Sequence, residues 1–411
     1  MRTSRQSSIE PGGAAIESPS MECVSRKRFA IHFVQNLAEG ILHPLPPLQS
    51  LGRVLMVSSP TVHRLYGTHI EAAFRQYAGE VASCVVRMGE RRKTLATVAR
   101  ICEQAKAFGL GRRDVIVALG GGVCSDLVGF AASMFRRGVD HIRVPTTLIG
   151  QVDAAVGIKA GVNFDAHKNL LGAFHPPRVV LVDTRLLSSL DARHIREGLS
   201  EILKMALIAD RPLFETLEAH GVDLIESRFQ EPFDLAQEVV RRSVQLMLDQ
   251  LRENPYEDRT LRRLVDMGHT FSPALESASE FTLSHGDAVA IDMAFTCFIA
   301  EVLGLQTAAE TDRFVSLLFA LGLPLFSPLL SVALCKSAVD AALQHRGGRL
   351  NLVLPTRIGE AMFADREAAD AAVLQEALRR LQEAHAGFAA ARQPSWLRQS
   401  RETAVHASPA L

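Results

Sequence analysis

The run Val115-Ile-Val-Ala-Leu119, followed at once by Gly120-Gly-Gly122, constrains the fold of this chain more than any other stretch. Five apolar residues with no polar face predict a strand buried on both sides, as in a parallel sheet covered by helices. Glycines directly after such a strand let backbone N–H groups approach a phosphate-bearing ligand at the start of the next helix. The run is not G-x-G-x-x-G, so alone it is equally a tight turn. The residues beyond it go further than a turn requires. Pro145-Thr-Thr147, Asp153, Lys159, Asn163, Lys168-Asn169 and Gly172-Ala-Phe174 are too many and too varied in type for a core. They read as the wall of a site for a small, polar, phosphorylated molecule.

Around this segment, residues 28–187 alternate strands with helices. Strands are expected at Val54–Val57, Val81–Met88, Val115–Leu119, His141–Val144 and Val179–Val182, and helices at His63–Tyr77, Arg92–Phe108 and Asp126–Met134. That alternation predicts a parallel, Rossmann-like sheet. Beyond Leu187 the apolar period becomes helical at Ile195–Ile208, Phe214–Glu218, Pro232–Leu251, Pro273–Ala278, Ala288–Leu303 and Ala308–Leu321. Leu350–Pro355 is a lone late strand. The plan is therefore an α/β nucleotide-binding half (28–187) and an all-α half (188–385), with a cleft between them. Residues 1–27 and 386–411 read as polar tails. No internal repeat is visible.

Composition excludes several classes. Lys+Arg and Asp+Glu balance at 45 each, which gives no electrostatic case for nucleic acid or an acidic membrane surface. The six cysteines are scattered without a C-x-x-C pair and read as free thiols in a reducing compartment. No secretory h-region or membrane-length apolar run occurs, so a cytoplasmic protein is expected.

Three distant residues could hold a metal. Glu201 precedes Lys204 by three residues in Gly198-Leu-Ser-Glu-Ile-Leu-Lys204, which puts both on one helix face. That spacing also suits a solvated ion pair. His269, in Met267-Gly-His-Thr270, and His285, in Leu283-Ser-His-Gly-Asp287, each adjoin a glycine near a helix start. Two His and one Glu would leave an open position on a divalent metal, as a catalytic Zn²⁺ needs. Each could equally be an isolated histidine, because the spacing forms no local motif. Arg137, Lys159 and Lys168 could be surface charges, but their grouping tilts them toward an anion site. Glu90 and Lys93 most simply serve a helix start.

Taken together, GGGVCSDLVGF, RVPTTLIGQVDAAVGIKAGVNFDAHKNLLGAF, GLSEILK, MGHTF and LSHGDAVAIDMA resemble the sugar phosphate cyclase superfamily, of which dehydroquinate synthase is the best-known member. The resemblance spans roughly residues 50 to 360. It implies a Rossmann-like NAD domain, a helical metal domain, one NAD⁺, one Zn²⁺ or Co²⁺, and a homodimer. The family's metal ligands fall on Glu201, His269 and His285. Its NAD⁺ contacts fall on Glu90, Lys93, Gly121, Gly122, Val123, Asp126, Thr146, Thr147, Asp153 and Lys168. Its substrate pocket falls on Asp153, Lys159, Lys168, Asn169, Lys204, Arg262 and Asp266, with Lys204, Asp153 and Lys159 as the catalytic candidates. Arg137 matches an arginine that reaches the phosphate in the neighbouring subunit.

The departures from that pattern bear on the cofactor and the substrate. Ser59 stands where the family usually has an acid for the adenosine ribose. Asp266 and Pro273 replace the Asn and the second His of dehydroquinate synthases. Met247-Leu248 stand where those enzymes place a lysine for the substrate's carboxylate, and no lysine occurs between Lys204 and Lys336. His345-Arg-Gly-Gly-Arg349 replaces a pair of lysines. Losing cations where a carboxylate would sit points to a substrate without one. Asp266/Pro273, Val156-Gly-Ile-Lys159 and Phe174-His-Pro-Pro177 are similar to the branch that cyclises sedoheptulose 7-phosphate. Within it they favour 2-epi-5-epi-valiolone synthases over 5-epi-valiolone or desmethyl-4-deoxygadusol synthases. Dehydroquinate synthase and a metal-dependent polyol dehydrogenase are the rival expectations.

Overall fold

The computed structural model describes residues 26–49, 51–165, 167–345 and 348–390. Eight described strands precede residue 183: β1 (Ile31–Phe33), β2 (Leu51–Ser58), β3 (Ala78–Val85), β4 (Val115–Gly120), β5 (Asp140–Pro145), β6 (Lys159–Phe164), β7 (His167–Phe174) and β8 (Val179–Val182). Six of them form one parallel sheet in the order β1-β8-β5-β4-β2-β3. The chain steps outward from β2 to β3, then returns across β2 to β4. The crevice beyond the carboxyl ends of β2 and β4 is thus the topological switch point, where open α/β sheets bind ligands. The glycine turn leaves β4 at that crevice.

Side-chain alternation explains why β2 and β4 are apolar throughout. Val54 and Met56 of β2, with Val115, Val117 and Leu119 of β4, enter one buried cluster. Leu55, Val57, Ile116 and Ala118 point the other way into a second. The first face is covered by the rod running from α1 (Pro60–Val62) through a π turn (His63–Gly67) into α2 (Thr68–Arg75), which contributes Ile70 and Phe74. The second is covered by α3 (Leu95–Ala107) and α4 (Gly122–Met134).

The polar stretch after β5 is not one continuous loop. β6 and β7 pair as an antiparallel hairpin outside the main sheet and lie on α4. The hairpin carries Lys159, Asn163, Lys168 and Asn169 on a regular frame.

The second half is built from α5 (Ala192–Ala209), α6 (Arg211–Glu226), α7 (Phe233–Arg252), α8 (Ser272–Ala278), α9 (His285–Val302), α10 (Ala308–Ala320), α11 (Val332–His345) and α12 (Ala371–Ala390). α9 is buried almost all round, packing against α5, α8, α10 and α12. The helix expected at Ala288–Leu303 is present, but its apolar residues run almost all round it and do not form the single periodic stripe expected. The expected late strand is β9 (Leu352–Arg357), and it is not alone: β10 (Glu360–Ala364) pairs with it antiparallel. α6 continues beyond Glu218, because Leu224 and Ile225 rejoin the core. Residues 386–390 are the last turn of α12 rather than the start of a tail. The expected tails over 1–25 and 391–411 lie outside the described residues, as do Cys23, Arg346 and Gly347. The five described cysteines are free thiols. No described helix is long and apolar enough to cross a membrane.

Candidate active site

Two glycines bring the three metal-ligand candidates together. Gly268, just before His269, has φ +73°, and a Cβ there would meet Met293 Cγ at 2.9 Å and Val289 Cγ1 at 3.0 Å. Gly286, just after His285, lies so close to α5 that a Cβ would sit 2.5 Å from the Cα and carbonyl oxygen of Glu197. α9 therefore starts in backbone contact with α5, one turn from Glu201. Ser284 caps that start by accepting a hydrogen bond from Asp287 N at 3.2 Å. Pro273 falls in the first turn of α8, where a missing N–H costs little. Asp292, buried in α9, accepts from Phe271 N at 2.6 Å and Ser272 N at 2.8 Å, fixing the segment that carries His269.

One ligand atom from each of Glu201, His269 and His285 lies within 4.8 Å of the other two. His285 Nε2 is 3.5 Å and His269 Nε2 3.9 Å from Glu201 Oε1. Ligands on a tetrahedral Zn²⁺ with bonds of about 2.1 Å stand about 3.4 Å apart, close to the spacing seen. Both Nδ1 atoms face away and have acceptors. His269 Nδ1 donates to Met267 O at 3.0 Å, and His285 Nδ1 to Glu276 Oε1 at 3.0 Å. Those acceptors select the tautomer whose Nε2 lone pair faces the ligand cluster. Glu201 Oε1 is buried and makes no hydrogen bond. A divalent cation fits this donor set and satisfies that oxygen.

The surroundings polarise the cluster. Burial pushes Glu201 up, but Lys204 and the two imidazoles outweigh it and hold the carboxyl well below its usual range. Burial first, then Lys204, lowers His269 to about 4, so it is a neutral ligand at neutral pH. Burial opposes protonation of His285, yet its contacts to Glu201 and Glu276 raise it to about 10 without a metal. A bound cation competes for that proton. Lys204 is 2% exposed and pairs with Glu201. Burial lowers its pKa, while Glu201, Asp153 and Asp266 more than restore it. Asp153, in the turn Gly150–Ala154, is raised by burial and by Glu201. An ammonium and a carboxyl whose protonated forms are both favoured can, beside a metal seat, pass a proton to and from a hydroxyl.

On the sheet side, α4 begins at Gly121–Gly122 with no side chain capping its N-terminus. Its free N–H groups face the switch-point crevice, which suits a pyrophosphate. Thr147 packs on Gly121, where a Cβ would meet its Cγ2 at 3.0 Å, and Thr146 N donates to Gly120 O at 3.0 Å. Val123 follows in the first turn. Lys93 is buried, pairs with Asp126, and donates to Asn169 Oδ1 at 2.5 Å. Glu90 accepts from Asn163 Nδ2 at 2.8 Å. Glu90 and Lys93 thus grip the hairpin rather than simply serve a helix start. Ser59 Oγ accepts from Val62 N at 3.2 Å as the cap of α1, so its hydroxyl already has a partner.

A chain of contacts joins the two halves. Lys168 Nζ donates to Glu276 Oε2 at 2.6 Å and stands 3.8 Å from Glu90 Oε1. Glu276 in turn holds His285. Lys159 pairs with Glu257, Glu257 with Arg263, and Arg263 with Asp266. Arg262 is exposed and lies over the Phe363 ring, its Cζ 4.6 Å from the centroid, while its neighbour Arg263 turns inward. Arg137 is exposed on the turn after α4 with φ 65°. Met247 is buried in the helical core, with Leu248 packed against it, so no cation stands there.

Glu276, Asp292, Arg263 and Arg143 carry no role in the sequence reading. Arg143 is buried and donates to the carbonyls of Ala155, Gly157 and Lys159 at 3.2, 2.6 and 3.3 Å, shaping the segment between Asp153 and Lys159. A charged residue between Ile142 and Val144 was a usable signal for Arg143. Glu276, inside an ordinary amphipathic stretch, had none.

The family models of the 3-dehydroquinate synthase N-terminal and C-terminal regions match residues 83–197 and 198–344. A 2-epi-5-epi-valiolone synthase from Streptomyces glaucescens is 46% identical over 351 residues, covering 84% of this chain and 89% of that protein. The solved structure of ValA, a 2-epi-5-epi-valiolone synthase from Streptomyces hygroscopicus subsp. jinggangensis 5008 with NAD⁺ and Zn²⁺ bound, superposes with a TM-score of 0.83 at 39% identity, covering 89% of this chain and 99% of that one. A 2-deoxy-scyllo-inosose synthase with carbaglucose-6-phosphate, NAD⁺ and Co²⁺ gives a TM-score of 0.71 at 27% identity, covering 84% and 96%.

Proposed function

Because this chain belongs to the dehydroquinate synthase-like sugar phosphate cyclases, we propose that it converts sedoheptulose 7-phosphate into 2-epi-5-epi-valiolone and inorganic phosphate. The observation that carries the choice of substrate is the carboxylate side of the pocket. Met247 is buried among apolar side chains, Asp266 is paired with Arg263, and Pro273 is built into α8. At that place Arg263 is already held by Asp266 and α7 supplies no lysine, so an acidic head gains no cation of its own, whereas a neutral polyol head finds hydrogen-bonding partners.

NAD⁺ at the glycine turn and Zn²⁺ or Co²⁺ on Glu201, His269 and His285 supply reversible hydride transfer and Lewis acidity when bound. The chain's own groups do the rest. Lys159 and Asn169 hold the substrate phosphate. Lys204 and Asp153 orient the reacting hydroxyl and move its proton. Arg143 fixes the segment that joins Asp153 to Lys159. Oxidation, loss of phosphate, reduction and aldol closure leave the cofactor unchanged, and substrate and products balance without added water. Arg137, exposed on its turn, reaches the phosphate of a second copy in a homodimer; a monomeric active enzyme in solution would remove that role.

The test is incubation of the NAD⁺- and Zn²⁺-loaded protein with sedoheptulose 7-phosphate. One equivalent of phosphate, a carbocyclic product by NMR and no net NADH absorbance are expected. Net NADH would identify a polyol dehydrogenase. Turnover of a carboxylated heptulosonate 7-phosphate in place of sedoheptulose 7-phosphate would identify a dehydroquinate synthase.

A further inference from the structure

Glu257 sits where a ligand's anion would be expected. One of its oxygens, Oε1, contacts both Lys159 Nζ and Arg263 Nη1. Lys159 opens the hairpin of the sheet half, while Arg263 belongs to the helical half. The carboxylate therefore spans the cleft and neutralises two cations on opposite walls. Its loop, between α7 and Leu264, is held by its own contacts. Asn254 Nδ2 donates to Thr260 O at 2.6 Å and Asn254 Oδ1 accepts from Arg259 N at 3.2 Å. Glu257 itself has φ 56°, a left-handed conformation that a glutamate adopts only when its surroundings impose it. Tyr256 beside it meets Phe174, the strand partner of Lys159, edge to face at 5.7 Å. Lys159 keeps about half of its side chain exposed (53%), so a second anion can reach it from solvent.

We propose that Glu257 is a resident anion of the phosphate pocket, which the phosphate of the substrate must displace from Lys159 and Arg263. This rests on the reading of Lys159 as a phosphate-binding residue. A phosphate dianion brings more charge and more acceptor oxygens than one carboxylate, so it takes the place of Glu257. The tethered carboxylate returns when phosphate leaves. It thereby weakens retention of inorganic phosphate, the product that would otherwise stay in a two-cation pocket.

The experiment titrates inorganic phosphate into the full-length protein loaded with NAD⁺ and Zn²⁺, by calorimetry, for wild type, Glu257→Gln and Glu257→Asp. Glu257→Gln should tighten phosphate binding about two- to fivefold, the size of one partly exposed ion pair. Glu257→Asp, one methylene shorter, should fall between. The KM for sedoheptulose 7-phosphate should drop by a similar factor, while inhibition by unphosphorylated sedoheptulose stays unchanged. Unchanged or weaker phosphate binding in a variant that keeps the wild-type melting temperature overturns the proposal, and shows that Glu257 orients Lys159 instead. If Glu257→Gln does not fold, Glu257→Asp alone decides. Calorimetry needs no turnover, so a wild type that converts no sugar phosphate fails the cyclase reading without touching this result.

Discussion

Glu276 shows how much of a metal centre lies outside its ligands. It accepts from His285 with one oxygen and from Lys168 with the other, at 3.0 and 2.6 Å. Burial alone would raise its carboxyl, but the contacts to His285 and Lys168 draw it down to about 2, so it stays an anion at any working pH. Glu276→Gln should keep the fold and lower Zn²⁺ affinity about 10- to 100-fold, read by chelator competition. An affinity equal to wild type would mean that His285 needs no such anchor. At this scale the sequence was informative only where residue type was unusual for its place. Glu201, His269, His285, Lys204 and Asp153 stand together in space. Arg262 does not: it lies over Phe363, and Arg263 faces Asp266. Neighbouring arginines carry the same charge and the same period signal, so nothing local distinguishes them; the hairpin β9–β10 supplies the ring that does.

At the scale of elements, the approach of α9 to α5 decides where His285 stands. Gly286→Ala would place a methyl 2.5 Å from backbone atoms of Glu197, and backbone cannot swing aside as a side chain tip can. The helices must separate, at a cost of about 1–3 kcal/mol by the usual penalty of overpacking. His285 would move away from Glu201. A fall in melting temperature together with a loss of bound zinc after dialysis is expected. A stable variant with full zinc content would show that the contact is not needed to place the ligand. β2, β4 and β8 were legible because burial on both faces leaves a plain apolar run; the short edge strand β1 was not expected, and β3, half exposed, begins three residues before the expected Val81. β6 and β7 were not legible, because Lys159, Asn163, Lys168 and Asn169 interrupt the alternation that Ala160, Val162, Leu171 and Ala173 would set by packing on the core. α12 and α11 were missed as well, since their apolar stripes are rich in alanine and thin in large residues.

For the whole molecule, the plan of a sheet half followed by a helical half was readable from one change of period near Leu187. How the halves join was not, because the joining contacts pair residues as far apart as Lys168 and Glu276. Those contacts run from Asn163 through Glu90, Lys168 and Glu276 to His285. The two seats share this chain of contacts, which predicts a linkage between them, and linkage is reciprocal. Whatever factor NAD⁺ adds to the affinity for zinc, zinc must add to the affinity for NAD⁺. Titrating each in the presence and absence of the other should return the same factor above one, and Lys168→Ala should bring both to one. Where that factor is large, half-loaded molecules become the rare species, and the concentration of either cofactor bears on the occupancy of both.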